Sequence, residues 1–511
     1  MGVTHFVSNS TASPRHGWPA WLALAAVGLA ALLVRGYSYW GRPYLAGTDY
    51  GQIVLQAQLY LDGGSLPHTV PYFQLGQTNW APMPGAAMIM AVLSSLAGRP
   101  VMDVLPLVLI LGLVEVGGVY MLAWSIFRRA DAALMAASVA AVLPGQPEMM
   151  AWSGYPNLMG LAVMPVVWWA WLEYWQQPDR RRLILAALML AGAAPIHHLT
   201  TLWIGATLGL FGVAYVVAQP WRSLQKLLPV GVAGLIIGLP VVWQIVDQYV
   251  STGMFDAFAG QPNRFVSVRV NWEGWSRVVE PVSLVVLAAG FTGFLLMRGI
   301  RGDARLLMGA YTLVSVALGF GWLWGVEFYY TRALYFLALP IALGAAALLD
   351  RWRDGWLRIG VAAALVVVLG LSAILRARQA ADYYQVLTPE TMQAVEWLAE
   401  HSAPDDVVVV STFLGFQMAH LLHRPLLVAM TPVLVGNVQE APLAQDAVAV
   451  MLGLYNMDEV IDRRGVRFIM LKANFPDVPS PFRSQTVMEA NPRLEQVFRN
   501  SQVVIYEVVD A

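Results

Sequence analysis

Long apolar runs, separated by short polar breaks, organise the first three quarters of the chain. A membrane-crossing helix needs about 20 apolar residues. By that measure, candidate spans cover 18–34, 83–97, 104–127, 132–143, 158–175, 183–194, 199–218, 227–245, 281–297, 306–324, 330–349 and 357–375. The pattern changes near Arg378, where charges, Pro and Asn return and apolar runs shrink to strand length. This divides a membrane domain, 1–378, from a small α/β domain, 379–511. In the second part, 388–401 predicts a helix with Thr388 as cap and Pro389 in first position. Residues 407–410, 425–430, 466–471 and 503–508 predict strands. Residues 458–463 predict a helix closed by Gly465. The alternation implies a partly parallel sheet.

Basic residues mark the cytoplasmic face of a membrane protein. Arg180-Arg181-Arg182, Arg222 with Lys226, Arg298 with Arg301 and Arg305, and Arg351 with Arg353 and Arg358 all fall between spans. Taking them as inside puts 144–156, 195–198, 247–280, 325–329 and the C-terminal domain outside. An inside N-terminus then requires an odd number of crossings. Residues 83–97 and 132–143 are both short, so one segment between 83 and 143 is expected to be re-entrant, leaving about 11 transmembrane helices.

Composition supports the membrane class. The chain is 58% hydrophobic and 12% charged, about half the charge of soluble domains. A net charge of −1 argues against a nucleic-acid partner. With no cysteine, disulfides, thiol chemistry and Cys-ligated zinc are excluded. Arg15 and His16 precede the first span and no small-residue cleavage site follows, which predicts an uncleaved first helix. Only Lys226 and Lys472 are lysines; the arginines supply forked donors suited to phosphate.

The candidate chemistry lies in the outward breaks. Residues 36–82 form a long stretch rich in Tyr, Trp, Gly and Pro. Within it, Asp49 follows Gly47-Thr48 and precedes an amphipathic run, 50–61. Asp49 suits a helix N-cap, with Gln52 three residues on. It equally suits a catalytic acid at the end of the first span, and the two roles are compatible. Glu148 sits in PGQPEMMAWSGYPN, a turn-rich connector whose Trp152 and Tyr155 also fit an aromatic belt. His197 and His198 could bind phosphate or move protons, or serve as polar turn residues; no third ligand stands at zinc spacing. Residues 267–281 carry Arg269, Glu273, Arg277 and Glu280, either as paired interfacial charges or as a lid bringing an acid over a cleft. Arg332, in EFYYTRALYFLALP, lies just inside the outer end of a span. An arginine there is costly and is usually kept for a partner. Its fork matches phosphate oxygens, although snorkelling or pairing with Glu327 would also hold it.

The order of these pieces resembles the GT-C glycosyltransferases, nearest the oligosaccharyltransferase catalytic subunit. Asp49 is similar to that family's first-loop catalytic Asp. Pro144-Gly145 and Gly154-Tyr155 with Asn157 are similar to its second outer loop, and TRALYFLALP to the span whose Arg, here Arg332, contacts donor phosphate. The segment 407–428 looks like the strand–loop–strand of its external domain. Two departures stand out. Pro156 and Leu158 occupy the positions of acidic metal ligands, leaving Glu148 nearby. Thr412-Phe413-Leu414 replaces the Trp-Trp-Asp motif, which speaks against asparagine glycosylation.

The resemblance implies a mainly α polytopic membrane bundle with an extracytoplasmic α/β domain, sited in the plasma (inner) membrane with its N-terminus cytoplasmic. It implies transfer of a hexose or pentose from a polyprenyl-phosphate-sugar donor to a glycan, lipid or protein acceptor, among membrane lipids. Asp49 would be the catalytic acid or base. Arg332, His197 and His198 would bind donor phosphate, and Glu148, Glu273 and Glu280 are candidate second acids. The resemblance fixes no cofactor; a divalent cation, Mg2+ or Mn2+, if one is used, would fall to Asp49 and Glu148. The alternatives are a non-catalytic scaffold of the same fold or a transporter of lipid-linked or small polar substrates. Against transport, there is no internal repeat.

Overall fold

The computed structural model describes residues 19–64, 72, 84–251, 290, 292, 295, 302–319, 334–351, 355–427, 441–472 and 481–509. The chain opens with α1 (Pro19–Gly36), α2 (Tyr50–Gly63), α3 (Gly85–Ala97) and α4 (Val101–Val104). A 3-10 stretch, Leu105–Ile110, leads into α5 (Leu111–Phe127), followed by α6 (Ala130–Ala141) and α7 (Gly145–Ala151). Then come α8 (Tyr155–Gln176), α9 (Arg180–Ala193), α10 (His198–Ala218) and α11 (Pro220–Ser251). The bundle ends with α12 (Gly302–Gly319), α13 (Ala338–Asp350) and α14 (Gly355–Tyr383). Among the described residues, five helices are both long and apolar enough to cross a membrane: Ala20–Tyr39, Val101–Phe127, Leu199–Ala218, Pro220–Trp243 and Gly355–Tyr383. They make this a membrane protein without deciding the expected total of about 11. The expected span 281–297 lies almost wholly outside the described residues.

Helix α8 is long enough to cross, but its tryptophans and tyrosines keep its hydropathy modest. It is instead buried on every side, with Trp168, Trp171 and Trp175 in the core. Phe211 of α10 meets Trp171 and Trp175 edge-on at 6.0 and 4.9 Å, geometry that aromatic quadrupoles favour.

Polar bonds gather one set of helix ends on a single face. Ser125 donates to Glu173 at 2.8 Å, Tyr215 donates to Asp303, and Lys226 donates to the Trp175 carbonyl at 2.7 Å. Arg358 pairs with Asp131 at 3.0 Å. These bonds draw together described helix ends beside Arg182, Lys226, Asp303 and Arg358, while Arg298, Arg301 and Arg353 lie outside the described residues.

Toward the other end lies a network with no counterpart in the sequence-based expectations. Arg35, near the end of α1, is 2% exposed. It pairs with Glu115 of α5 at 2.5 Å and donates to Gln146 of α7 at 2.8 Å. The Gln146 amide in turn donates to Glu115. Because Arg35, Glu115 and Gln146 meet, the chain between α1 and α5 leaves and returns on one side. Helix α3 has 13 residues, about 20 Å at 1.5 Å per residue, short of the roughly 30 Å hydrocarbon core. Helix α6, with 12 residues, is shorter still.

The C-terminal part holds α15 (Pro389–His401), β1 (Val407–Val409), α16 (Thr412–Leu422), α17 (Ala441–Leu452) and α18 (Met457–Arg464). β2 (Val466–Lys472), α19 (Pro481–Ala490), β3 (Leu494–Arg499) and β4 (Val503–Val508) complete it. The sheet order is β1-β2-β4-β3, with β1 parallel to β2 and the other pairs antiparallel. Thr388 caps α15 as expected, accepting from the Thr391 amide at 3.2 Å, and Gly465 closes α18 at φ +62°. Three features differ from expectation. The stretch 407–428 contains helix α16, because FLGFQMAHLL buries a helical face rather than alternating. The strand expected at 425–430 is a single bridge from Leu426 to Val408, and residues 428–430 lie outside the described residues. β3 was not expected, since LEQVFR is half charged or polar and sits at a sheet edge. Helix α14 carries the chain unbroken through residue 378.

Strand side chains alternate faces, and here the alternation divides two cores. Val408, Phe468, Met470, Val503 and Ile505 join the core that continues into the bundle. Val409, Ile469, Leu471, Val504 and Tyr506 form the core under α17 and α18. The bundle and the sheet domain thus share one apolar interior.

Removing one member of a buried ion pair costs about 3–5 kcal/mol, whereas an apolar replacement of both can be neutral. Glu115→Ala should therefore lower the melting temperature in detergent sharply, and Arg35→Met with Glu115→Met should restore most of it.

Candidate active site

Asp49 occupies the N-cap position of α2, but its side chain makes no cap bond. The first amides of a helix need acceptors from outside the helix. Ser153, from the loop between α7 and α8, supplies one. Its Oγ accepts from the Asp49 amide at 2.8 Å and the Tyr50 amide at 3.1 Å, and donates to the Trp152 carbonyl at 2.6 Å. The partly exposed Asp49 carboxylate instead accepts from the Thr48 hydroxyl at 2.8 Å. The sequence-based capping role is thus taken by a residue 104 positions away.

Two further contacts hold this turn. The Gln417 amide of α16 donates to the Gly47 and Thr48 carbonyls at 3.2 and 3.3 Å. The Gly47 amide donates to the Tyr384 carbonyl at 2.9 Å. Gly47 has φ +116°, and a Cβ there would lie 2.2 Å from Ser153 Oγ, so both conformation and space demand glycine. Behind the turn stand three tyrosines. Tyr39 and Tyr155 share a 2.8 Å hydroxyl bond, and Asp49 lies within electrostatic reach of Tyr155. Tyr50 is fully buried, and its hydroxyl has no hydrogen-bond partner among the described residues.

Of the other candidates, Glu148 lies partly buried on α7, in the same loop that supplies Ser153. His197 is buried as the N-cap of α10, and its carbonyl accepts the Thr201 amide at 3.1 Å. Its helix packs against α8 near the Asp49 end, with Thr200 tight on Gly160. His198 begins α10, and its side chain is outside the described residues, as are Glu273, Glu280 and Arg332. The described chain resumes two residues after Arg332. There Tyr335 packs on Gly145 of α7, and Phe336 stacks on Trp203 at 4.1 Å. The network of Arg35 and Glu115 was missed, although an acid within LGLVEVGG calls for a partner.

Among the described residues, no three Asp, Glu, His or Cys side chains gather to hold a metal.

In the C-terminal domain, His420 of α16 and its C-cap His423 lie edge to face at 6.5 Å. His423 stacks on Tyr72 at 5.2 Å, and the Leu426 amide donates to the Tyr72 carbonyl at 3.0 Å. Burial, aided by neighbouring His423, pulls the His420 imidazole down to about 4. Burial likewise lowers Lys472 to about 8, where its ammonium donates to the Val386 carbonyl at 2.6 Å.

The fold is similar to that of several solved GT-C glycosyltransferases. Archaeoglobus fulgidus oligosaccharyltransferase AglB, in complex with an inhibitory peptide and a dolichol-phosphate, superposes with a TM-score of 0.61 at 14% identity, over 89% of this chain and 69% of that one. ArnT from Cupriavidus metallidurans, bound to undecaprenyl phosphate, gives 0.64 at 15% identity, over 96% and 98%. The mycobacterial arabinofuranosyltransferase AftD gives 0.59 at 17% identity, over 96% and 40%. At such identities the likeness concerns the fold. The archaeal enzyme has also been solved with zinc and sulfate. A family model described as a 6-pyruvoyl-tetrahydropterin synthase related domain, membrane protein, matches residues 78–246. No curated protein matches the sequence.

Two outcomes follow from this geometry. A non-glycine residue forced to positive φ costs about 1–3 kcal/mol. Gly47→Ala should cost more than that, because it also collides with Ser153. Gly41→Ala, at φ +71° with nothing within 4 Å, should cost only the strain; thermal melts in detergent compare them. For His420, the unfolded state takes up a proton at about its ordinary 6.5 while the folded state resists until about 4. Stability should therefore fall as pH drops through that window. His420→Gln should flatten this slope in melting temperature against pH.

Proposed function

We propose that this protein is a membrane glycosyltransferase that moves a sugar from a polyprenyl-phosphate donor to an acceptor at the face carrying Asp49. The observation that carries the reading is the clamped turn: the Asp49 backbone is fixed from two directions while its carboxylate stays off the helix end and partly exposed. A general base must be held at a defined place facing a cavity or solvent. Asp49 takes the proton of an acceptor hydroxyl as its oxygen attacks the anomeric carbon, and polyprenyl phosphate leaves from the opposite side.

Arg332 holds the departing phosphate, assisted by His197 and His198. Its assignment draws support from Tyr335, three residues on, which packs against Gly145 in the loop that positions Asp49. Glu148, Glu273 and Glu280 are second acids, and 247–280 covers the sugar and excludes water. Dolichol-phosphate and undecaprenyl phosphate in the similar structures support a lipid-linked donor. Residues 379–511 lie on the extracytoplasmic side and bind the acceptor, and the N-terminus is cytoplasmic in the inner membrane.

General-base catalysis contributes about 10²–10⁴-fold. Purified protein given radiolabelled polyprenyl-phosphate sugar should transfer label, and Asp49→Asn should lose transfer by that factor without losing its melting temperature. Full transfer by the variant would remove Asp49 as base. Absence of transfer by the parent protein across donors and acceptors would favour a binding scaffold.

A further inference from the structure

On the basic face, remote from Asp49, a cleft of about 450 Å³ opens between α6, α13 and α14. Its walls are apolar, with Met135 from α6, Leu349 from α13, and Ile359, Ala362 and Val366 from α14. The mouth is charged. Asp131 accepts Arg129 at 2.6 Å and Arg358 at 3.0 Å, so two guanidinium groups share one carboxylate. Their side chains remain 46% and 26% exposed.

Three features make this mouth favour an anion. The charged groups joined at the mouth are Arg129 and Arg358 against Asp131, two positive charges against one negative. Helices α6 and α14 both begin here, at Ala130 and Gly355, and helix N-termini carry partial positive charge. Arg358 sits in the first turn of α14, where a cation opposes that dipole, and the single Asp131 carboxylate beside it is shared with Arg129. The apolar depth behind the mouth does not suit a small hydrated anion. It suits a hydrocarbon chain, as the cleft lies along helices of the membrane bundle and α14 is long and apolar enough to cross.

We propose that this cleft binds an anionic glycerophospholipid from the leaflet on the basic face, with its phosphodiester between Arg129 and Arg358 and one acyl chain between α6 and α14. Basic recesses between membrane helices are suited to anionic head groups. The site stands independently of the transfer reaction proposed above, since it faces the other leaflet.

The test uses the full chain in detergent and native mass spectrometry, with phosphatidylglycerol and phosphatidylcholine of matched chains. The unaltered protein should retain phosphatidylglycerol about five-fold or more over phosphatidylcholine, since each arginine near an anionic head group contributes on the order of a five-fold factor. Arg129→Gln with Arg358→Gln should abolish the preference. Asp131→Asn, which removes the competing carboxylate, should raise it, and this opposite sign decides the matter even if the double variant folds poorly. Arg180→Gln, exposed on the same face outside the cleft, should leave it unchanged. Ala362→Phe, which fills the cleft, should reduce retention of both lipids. Equal retention of the two lipids by the unaltered protein would overturn the proposal. So would a preference that survives the double variant, fails to rise with Asp131→Asn, or falls equally with Arg180→Gln.

Discussion

The Ser153 hydroxyl carries more of this architecture than its size suggests. A helix start leaves amides in need of acceptors, and an Asp in the cap position ordinarily provides one. Here a serine from the next outer loop accepts two of them. The aspartate is therefore excused from capping, and its carboxylate is turned to the Thr48 hydroxyl at the surface of the turn. The arrangement requires close backbone approach, which is why Gly47 stands opposite Ser153 at positive φ, and why Ser153 itself adopts φ +64°.

Ser153 can do this only if its loop is held in place. Arg35, Glu115 and Gln146 hold it by joining the end of the first helix, the start of α5 and the short helix α7. Inside a bundle, such a triad is costly to desolvate and costly to break. It specifies one arrangement of these three elements rather than adding much net stability. The aromatic face of α8 supplies the apolar part of the same frame.

The C-terminal domain is part of that frame. One face of its sheet shares the interior of the bundle, and Gln417 reaches the carbonyls immediately before Asp49. Arg42 links the segment between α1 and α2 to Asp382 at the end of α14 and to Gln385 just beyond it. The carboxylate turn is thus gripped by the α7–α8 loop on one side and by the C-terminal domain on the other.

Much of this was legible from local pattern. Apolar runs marked the helices because the bilayer and the core impose their lengths and periods on the chain. Thr388-Pro389 and Gly465 marked helix ends because capping is chemistry between near neighbours. Asp49 stood out because a carboxylate after Gly-Thr at the start of an amphipathic run suits both a helix cap and a catalytic group. What remained hidden depended on partners far away in sequence. Nothing near residue 49 says that Ser153 will take over the cap. Nothing near residue 35 says that Glu115 and Gln146 will neutralise it. Strand β3 and helix α16 escaped for a related reason: a polar edge strand and a mostly apolar decapeptide have no distinctive period until a neighbouring surface selects their conformation. Hydrophobicity and capping act over a few residues and can be read along the chain, whereas the pairing of buried polar groups is settled only when the helices close on one another.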